Sequence, residues 1–220
     1  MKLNFKKMDL NTNIEIAKDF YDENDKTLIN YFNLESYLDI NDKVKDMYLK
    51  NEEKIDKSIE IYTKIWDKYN DLYIKELCKY LDITFDYNLE CEVGLLTIFP
   101  RFLDNYNFYI SYDLSEEKLI EVCAHEILHF IWFKKFKELY SDIDRKEYDN
   151  PYIPWIYSEM VVDPILNSKD IKKILGINAK AYDYFYNEED IYKIKDIFNT
   201  NNTIEDKIKL GYEYLKNKVE

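Results

Sequence analysis

The chain has 220 residues, 46% hydrophobic and 17% aromatic, enough for a sizeable core in one domain or in two lobes around a cleft. With 31 basic against 44 acidic residues the formal net charge is −13, which disfavours binding to nucleic acid or to anionic membrane surfaces. Only 3 glycines and 4 prolines favour helices joined by polar loops, and Cys78, Cys91 and Cys123 form no CxxC pair and read as buried thiols of a reducing, cytoplasmic compartment.

The N-terminal MKLNFKKMDLNTNIEIAKDF has no continuous apolar stretch behind its lysines, so no signal peptide is expected. No segment approaches the ~18 uninterrupted apolar residues of a membrane helix. The first third reads as helical. Shorter patterns around Ile14 to Tyr21 and Leu28 to Leu38 precede a long one, in which Ile55, Ile59, Tyr62, Trp66, Tyr69, Tyr73 and Leu77 put one apolar stripe on one face.

The period then changes. Ile83, Phe85, Tyr87, Leu89, Cys91 and Val93 alternate with mainly polar neighbours, which is strand spacing. GLLTIF continues as a buried or edge strand to Pro100, and FYISYDL follows a turn-rich LDNYN. Two or three antiparallel strands are therefore expected before DLSEEKLIEVCAHEILHFIWFKKFKELY. That stretch is a helix, capped by Asp113 or Ser115, with Glu116 and Glu117 in its first turn. A charged loop separates it from PYIPWIYSEMVVDPILN, a further helix with Pro154 near its start. The rest, from about Ser168, is helical with breaks near Asn178 and at Asn199 to Asn202.

Both histidines of the chain lie in the central helix, as His125-Glu126-Ile127-Leu128-His129. Side chains four apart share a helix face, so the two imidazoles can meet one ion, while Glu126 is turned about 100° away. That suits Glu126 as a general base toward a metal-activated water, the chemistry of HExxH metallopeptidases. A carboxylate buried without a partner is costly, which argues against a purely structural role for Glu126 in so apolar a helix.

No histidine remains for a third ligand, so a carboxylate is the natural choice. Glu138 points away along the same helix. Asp142, Asp144, Glu147 and Asp149 lie in a charged loop, whereas Glu159 sits in an apolar segment with Asp163 four residues on.

The motif and its uncharged flanks resemble the active-site helix of zinc-dependent metallopeptidases of the zincin clan, and Glu159-x-x-x-Asp163 is similar to the second helix of the gluzincins. The resemblance covers about residues 108–167. It implies zinc held by His125, His129 and Glu159, Glu126 as base, Asp163 accepting a hydrogen bond from the free ring nitrogen of His125, and a peptide or protein as substrate. It also implies a sheet edge, GLLTIF or FYISYDL, that aligns the substrate, and an oxyanion donor, with Tyr157, Arg101 and Arg145 as candidates.

The expected fold is α+β, mostly α: a small antiparallel sheet beside the active-site helix. It has a helical region over 1–82 and a zincin-like region over 83–220 with strands in 83–114, the HExxH helix in 115–140, the glutamate helix in 154–167 and C-terminal helices, all in one unit. Two other readings remain open, a non-catalytic zinc-binding or interaction module and a plain helical binding protein without metal.

Overall fold

The computed structural model describes residues 1–187 and 189–219. It is mostly helical with one small four-stranded mixed sheet, the α+β, mostly α class that the periodicities imply. The chain divides into two compact units. The first comprises Met1–Asn70 and Tyr87–Val122, the second Asp71–Asp86 and Cys123–Glu220. The boundary expected at residue 83 is therefore not where the chain divides. The reason is a strand at the N-terminus that joins the first helices to the sheet.

That strand, β1 (Leu3–Lys7), precedes α1 (Leu10–Asp22), α2 (Lys26–Phe32), α3 (Ile40–Trp66) and α4 (Asn70–Tyr80). The long apolar stripe is thus two helices, interrupted after Trp66. β2 (Leu89–Gly94), β3 (Arg101–Phe102) and β4 (Asn107–Ser111) complete a sheet of order β1-β2-β4-β3. β1 and β4 both run parallel to β2, and only the two-residue β3 is antiparallel, to β4. The antiparallel expectation for the strands in 83–114 is corrected here: it holds for the short β3–β4 pair alone, whereas β2 and β4 are parallel because the chain runs back through residues 95–106 before β4 begins. GLLTIF leaves the sheet after Gly94, where Asn13 Oδ1 accepts the Leu95 N–H at 3.0 Å and Leu95 and Leu96 are buried as a loop. The sheet's edges are β1 and β3. Asn70 ties β1 down, since its Oδ1 accepts from Leu3 N–H and from Trp66 Nε1, each at 3.2 Å.

α5 (Glu116–Leu139) starts at Ser115, whose Oγ accepts the Lys118 N–H at 3.2 Å. From Val122 to Phe133 every residue of α5 is buried except His125. Such a helix is apolar all round because it is enclosed all round. α6 (Ile153–Met160), α7 (Val162–Leu166), α8 (Lys169–Leu175), α9 (Glu189–Phe198) and α10 (Ile204–Val219) follow in the second unit. Pro154 sits in the first turn of α6, where a missing N–H costs nothing. Pro164 leaves the Met160 carbonyl without its usual N–H partner, and the helix breaks at Val161 between α6 and α7. No helix of the described residues is long and apolar enough to cross a membrane.

Trp132 and Phe136 of α5 pack edge-on against Tyr157 and Tyr212, with ring centroids 5.1 and 5.0 Å apart. The Tyr157 hydroxyl donates to the carbonyls of Lys207 and Ile208 in α10, both at 3.2 Å. Gly211, one turn on, lies against this ring: a Cβ there would stand 2.7 Å from Tyr157 Cζ. Glycine to alanine within a helix ordinarily gains about 1 kcal/mol. Here Gly211→Ala is expected to lose about 1–3 kcal/mol in urea denaturation, because Tyr157 has nowhere to move.

Candidate metal centre

His125 and His129 lie one turn apart on α5, and Glu159 lies near the end of α6. Of the 29 residues between His129 and Glu159, residues 130–139 continue α5 and residues 153–158 open α6, so the connection proper is residues 140–152. The two helices bring three side chains to one point. His125 Nε2 lies 2.8 Å from His129 Nε2 and 3.1 Å from Glu159 Oε2, and His129 Nε2 lies 3.4 Å from Glu159 Oε1.

Hydrogen bonds alone do not account for this cluster. An imidazole nitrogen carries at most one hydrogen, and an ionised carboxylate only accepts. A hydrogen on His125 Nε2 alone sets the lone pair of His129 against that of Glu159. A hydrogen on His129 Nε2 alone sets His125 against Glu159, and hydrogens on both make the ring nitrogens collide. A cation at the centre satisfies all three at once. A tetrahedral ion with bonds of about 2.0–2.2 Å holds its ligand atoms roughly 3.3–3.6 Å apart; the His129–Glu159 separation of 3.4 Å lies in that range, and the two contacts of His125, at 2.8 and 3.1 Å, are closer. The residues therefore fit a zinc ion, and two nitrogens with one carboxylate is a donor set suited to it.

The electrostatics agree. The side chains of His129 and Glu159 are 0% and 1% exposed. Burial alone would raise the Glu159 carboxyl, but attraction to His129 and hydrogen bonds with His125 and His129 outweigh it and hold the group well below the usual carboxylate range. Glu126, also buried, places Oε1 3.9 Å from His125 Nε2, beside the donor set but outside it. Tyr73 of α4 steadies the helix here, its hydroxyl donating to the Ala124 carbonyl at 2.6 Å.

Asp163 is placed elsewhere than expected. Its carboxylate accepts from the Tyr186 hydroxyl at 2.5 Å, from Lys195 Nζ at 3.0 Å and from Asn167 Nδ2 at 3.0 Å, and His125 is not among its partners. The break at Val161 separates Asp163 from the helix that carries Glu159. Tyr186 in turn accepts the Ala181 N–H, and Asn167 bonds both backbone groups of Ala179, so Asp163 clamps the segment 179–186. That segment brings in Tyr182, which no sequence pattern marked among 22 tyrosines. Its ring, 48% exposed, stands edge-on to His125 with centroids 6.4 Å apart. Tyr157, with its hydroxyl spent on α10 carbonyls, does not face the cluster, and Arg145 pairs with Asp149 at 2.9 Å.

Comparison with protein-family models, with curated proteins and with solved structures finds no match for this chain.

Asp163→Ala is expected to lower stability by about 1–3 kcal/mol, because it leaves three partly buried donors without their acceptor. Zinc affinity, read by competition with a chromophoric chelator, is expected to change less than about threefold. A partner of a metal-binding histidine would instead cost roughly 10–100-fold.

Proposed function

We propose that this chain is a zinc-dependent metallopeptidase of the zincin clan, gluzincin-like in its ligand set, which hydrolyses peptide bonds in peptide or protein substrates. The observation that carries the reading is the convergence of His125, His129 and Glu159 with Glu126 alongside, inside an otherwise apolar helix packing. The three cysteines remain thiols, in keeping with a reducing, cytoplasmic site of action.

His125, His129 and Glu159 would hold the ion. Bound zinc supplies Lewis acidity and a water whose pKa falls toward about 7. Glu126 accepts the proton of the attacking water and delivers it to the nitrogen of the departing amine. Its burial keeps bulk water from competing for that carboxylate. His125, the one donor with side-chain exposure, at 16%, marks the side from which the substrate carbonyl arrives. Tyr182 borders that side and replaces Tyr157 as the candidate donor to the developing oxyanion. The clamp from Asp163 through Tyr186 holds the segment that carries it.

Glu126→Gln separates binding from chemistry. The variant is expected to retain zinc within about twofold of the wild type while losing at least roughly 100-fold in peptide hydrolysis. Glu159→Ala is expected to weaken zinc binding by more than about 100-fold, since it removes one of three protein ligands. Hydrolysis by Glu126→Gln at the wild-type rate removes the base. Zinc affinity unchanged in Glu159→Ala removes the ligand set.

A further inference from the structure

The second unit contains a cavity of about 810 Å³, lined by parts of α7, α8, the segment 178–186 and α9. Its size is that of a small-molecule site, for which roughly 300–1,000 Å³ is usual. The walls carry Lys169, Lys172, Lys180, Lys195 and Lys207 against two acids, Asp163 and Asp183. This reverses the balance of the whole chain, where acids outnumber bases 44 to 31.

Pairing within the cavity leaves the excess in place. Lys195 is neutralised by Asp163 at 3.0 Å. Lys207 donates to the carbonyl oxygen of Phe198 at 2.9 Å, a neutral acceptor, so its charge is not cancelled. Partial burial pulls the Lys207 ammonium below the ordinary lysine value. Lys169, Lys172 and Lys180 make no ion pair among the described residues. Four ammonium groups, those of the exposed Lys169, Lys172 and Lys180 and the partly buried Lys207, are therefore left on a wall whose other acid is Asp183. Tyr80 and Phe198 add flat apolar surface to the lining. None of His125, Glu126, His129 and Glu159 lines the cavity.

We propose that this cavity binds a small organic polyanion, a phosphate or polyphosphate group on a planar or apolar body. Several dispersed ammonium groups suit a multiply charged, roughly spherical anion better than a single carboxylate, since lysine acts as a point charge without a preferred plane. A duplex nucleic acid is too large for the cavity, and the rest of the molecule repels it.

The test is isothermal titration of the full chain, free of divalent metal, with inorganic pyrophosphate and with ATP at about 0.1 M salt. Removing the metal keeps phosphate from binding at the histidine site, so the result does not depend on the peptidase reading. Either ligand is expected to bind with a dissociation constant below about 1 mM, and Lys172→Glu and Lys180→Glu each to weaken it roughly tenfold. Lys43→Glu, on the exposed face of α3, is expected to leave affinity unchanged. Lys172→Gln, an uncharged change at an exposed position, serves if charge reversal lowers the melting temperature. Absence of heat with both ligands at about 5 mM overturns the proposal, and so does an equal loss in Lys43→Glu, which marks diffuse attraction in place of a site.

Discussion

One buried negative charge, that of Glu159, governs the candidate centre. A carboxylate taken out of water costs several kcal/mol unless it is paired and hydrogen-bonded. Here two imidazole nitrogens meet it, and no arrangement of their protons satisfies every contact. A shared cation would resolve that conflict, and its ligands would come from both α5 and α6. Packing of Trp132 and Phe136 against Tyr157 and Tyr212 holds those helices in place.

The same reasoning separates the roles of the three acids in this region. Glu159 is drawn into the cluster and held ionised by the histidines. Glu126 stays beside it, with Oε1 3.9 Å from His125 Nε2 and outside the donor set. Asp163, four residues after Glu159, spends its oxygens on Tyr186, Asn167 and Lys195, and so ties down the segment that carries Tyr182. The clamp and the lysine-rich cavity share Asp163, which neutralises Lys195.

How much of this was legible depends on distance along the chain. His125, Glu126 and His129 were legible because one helical turn converts sequence spacing directly into proximity. Glu159 stood out as an acid inside an apolar run, and its burial follows from that run. The same clue misplaced Asp163, because an acid in an apolar segment can be buried against any donor, and Tyr186 and Lys195 lie 23 and 32 residues downstream. β1 was missed since five residues with two lysines carry little alternation, and its partner is more than 80 residues away. GLLTIF reads as a strand on composition, yet the Asn13 side chain takes the Leu95 N–H. Tyr182 and the cavity lysines belong to residue types too common in this chain to stand out singly.

Zinc K-edge X-ray absorption on the purified, zinc-loaded protein tests the central claim most directly. Two imidazoles and a carboxylate predict a first shell of nitrogen and oxygen only, at about 2.0–2.1 Å, with imidazole multiple scattering and about one zinc per chain. A sulfur shell near 2.3 Å, or no zinc retained after loading, would contradict it.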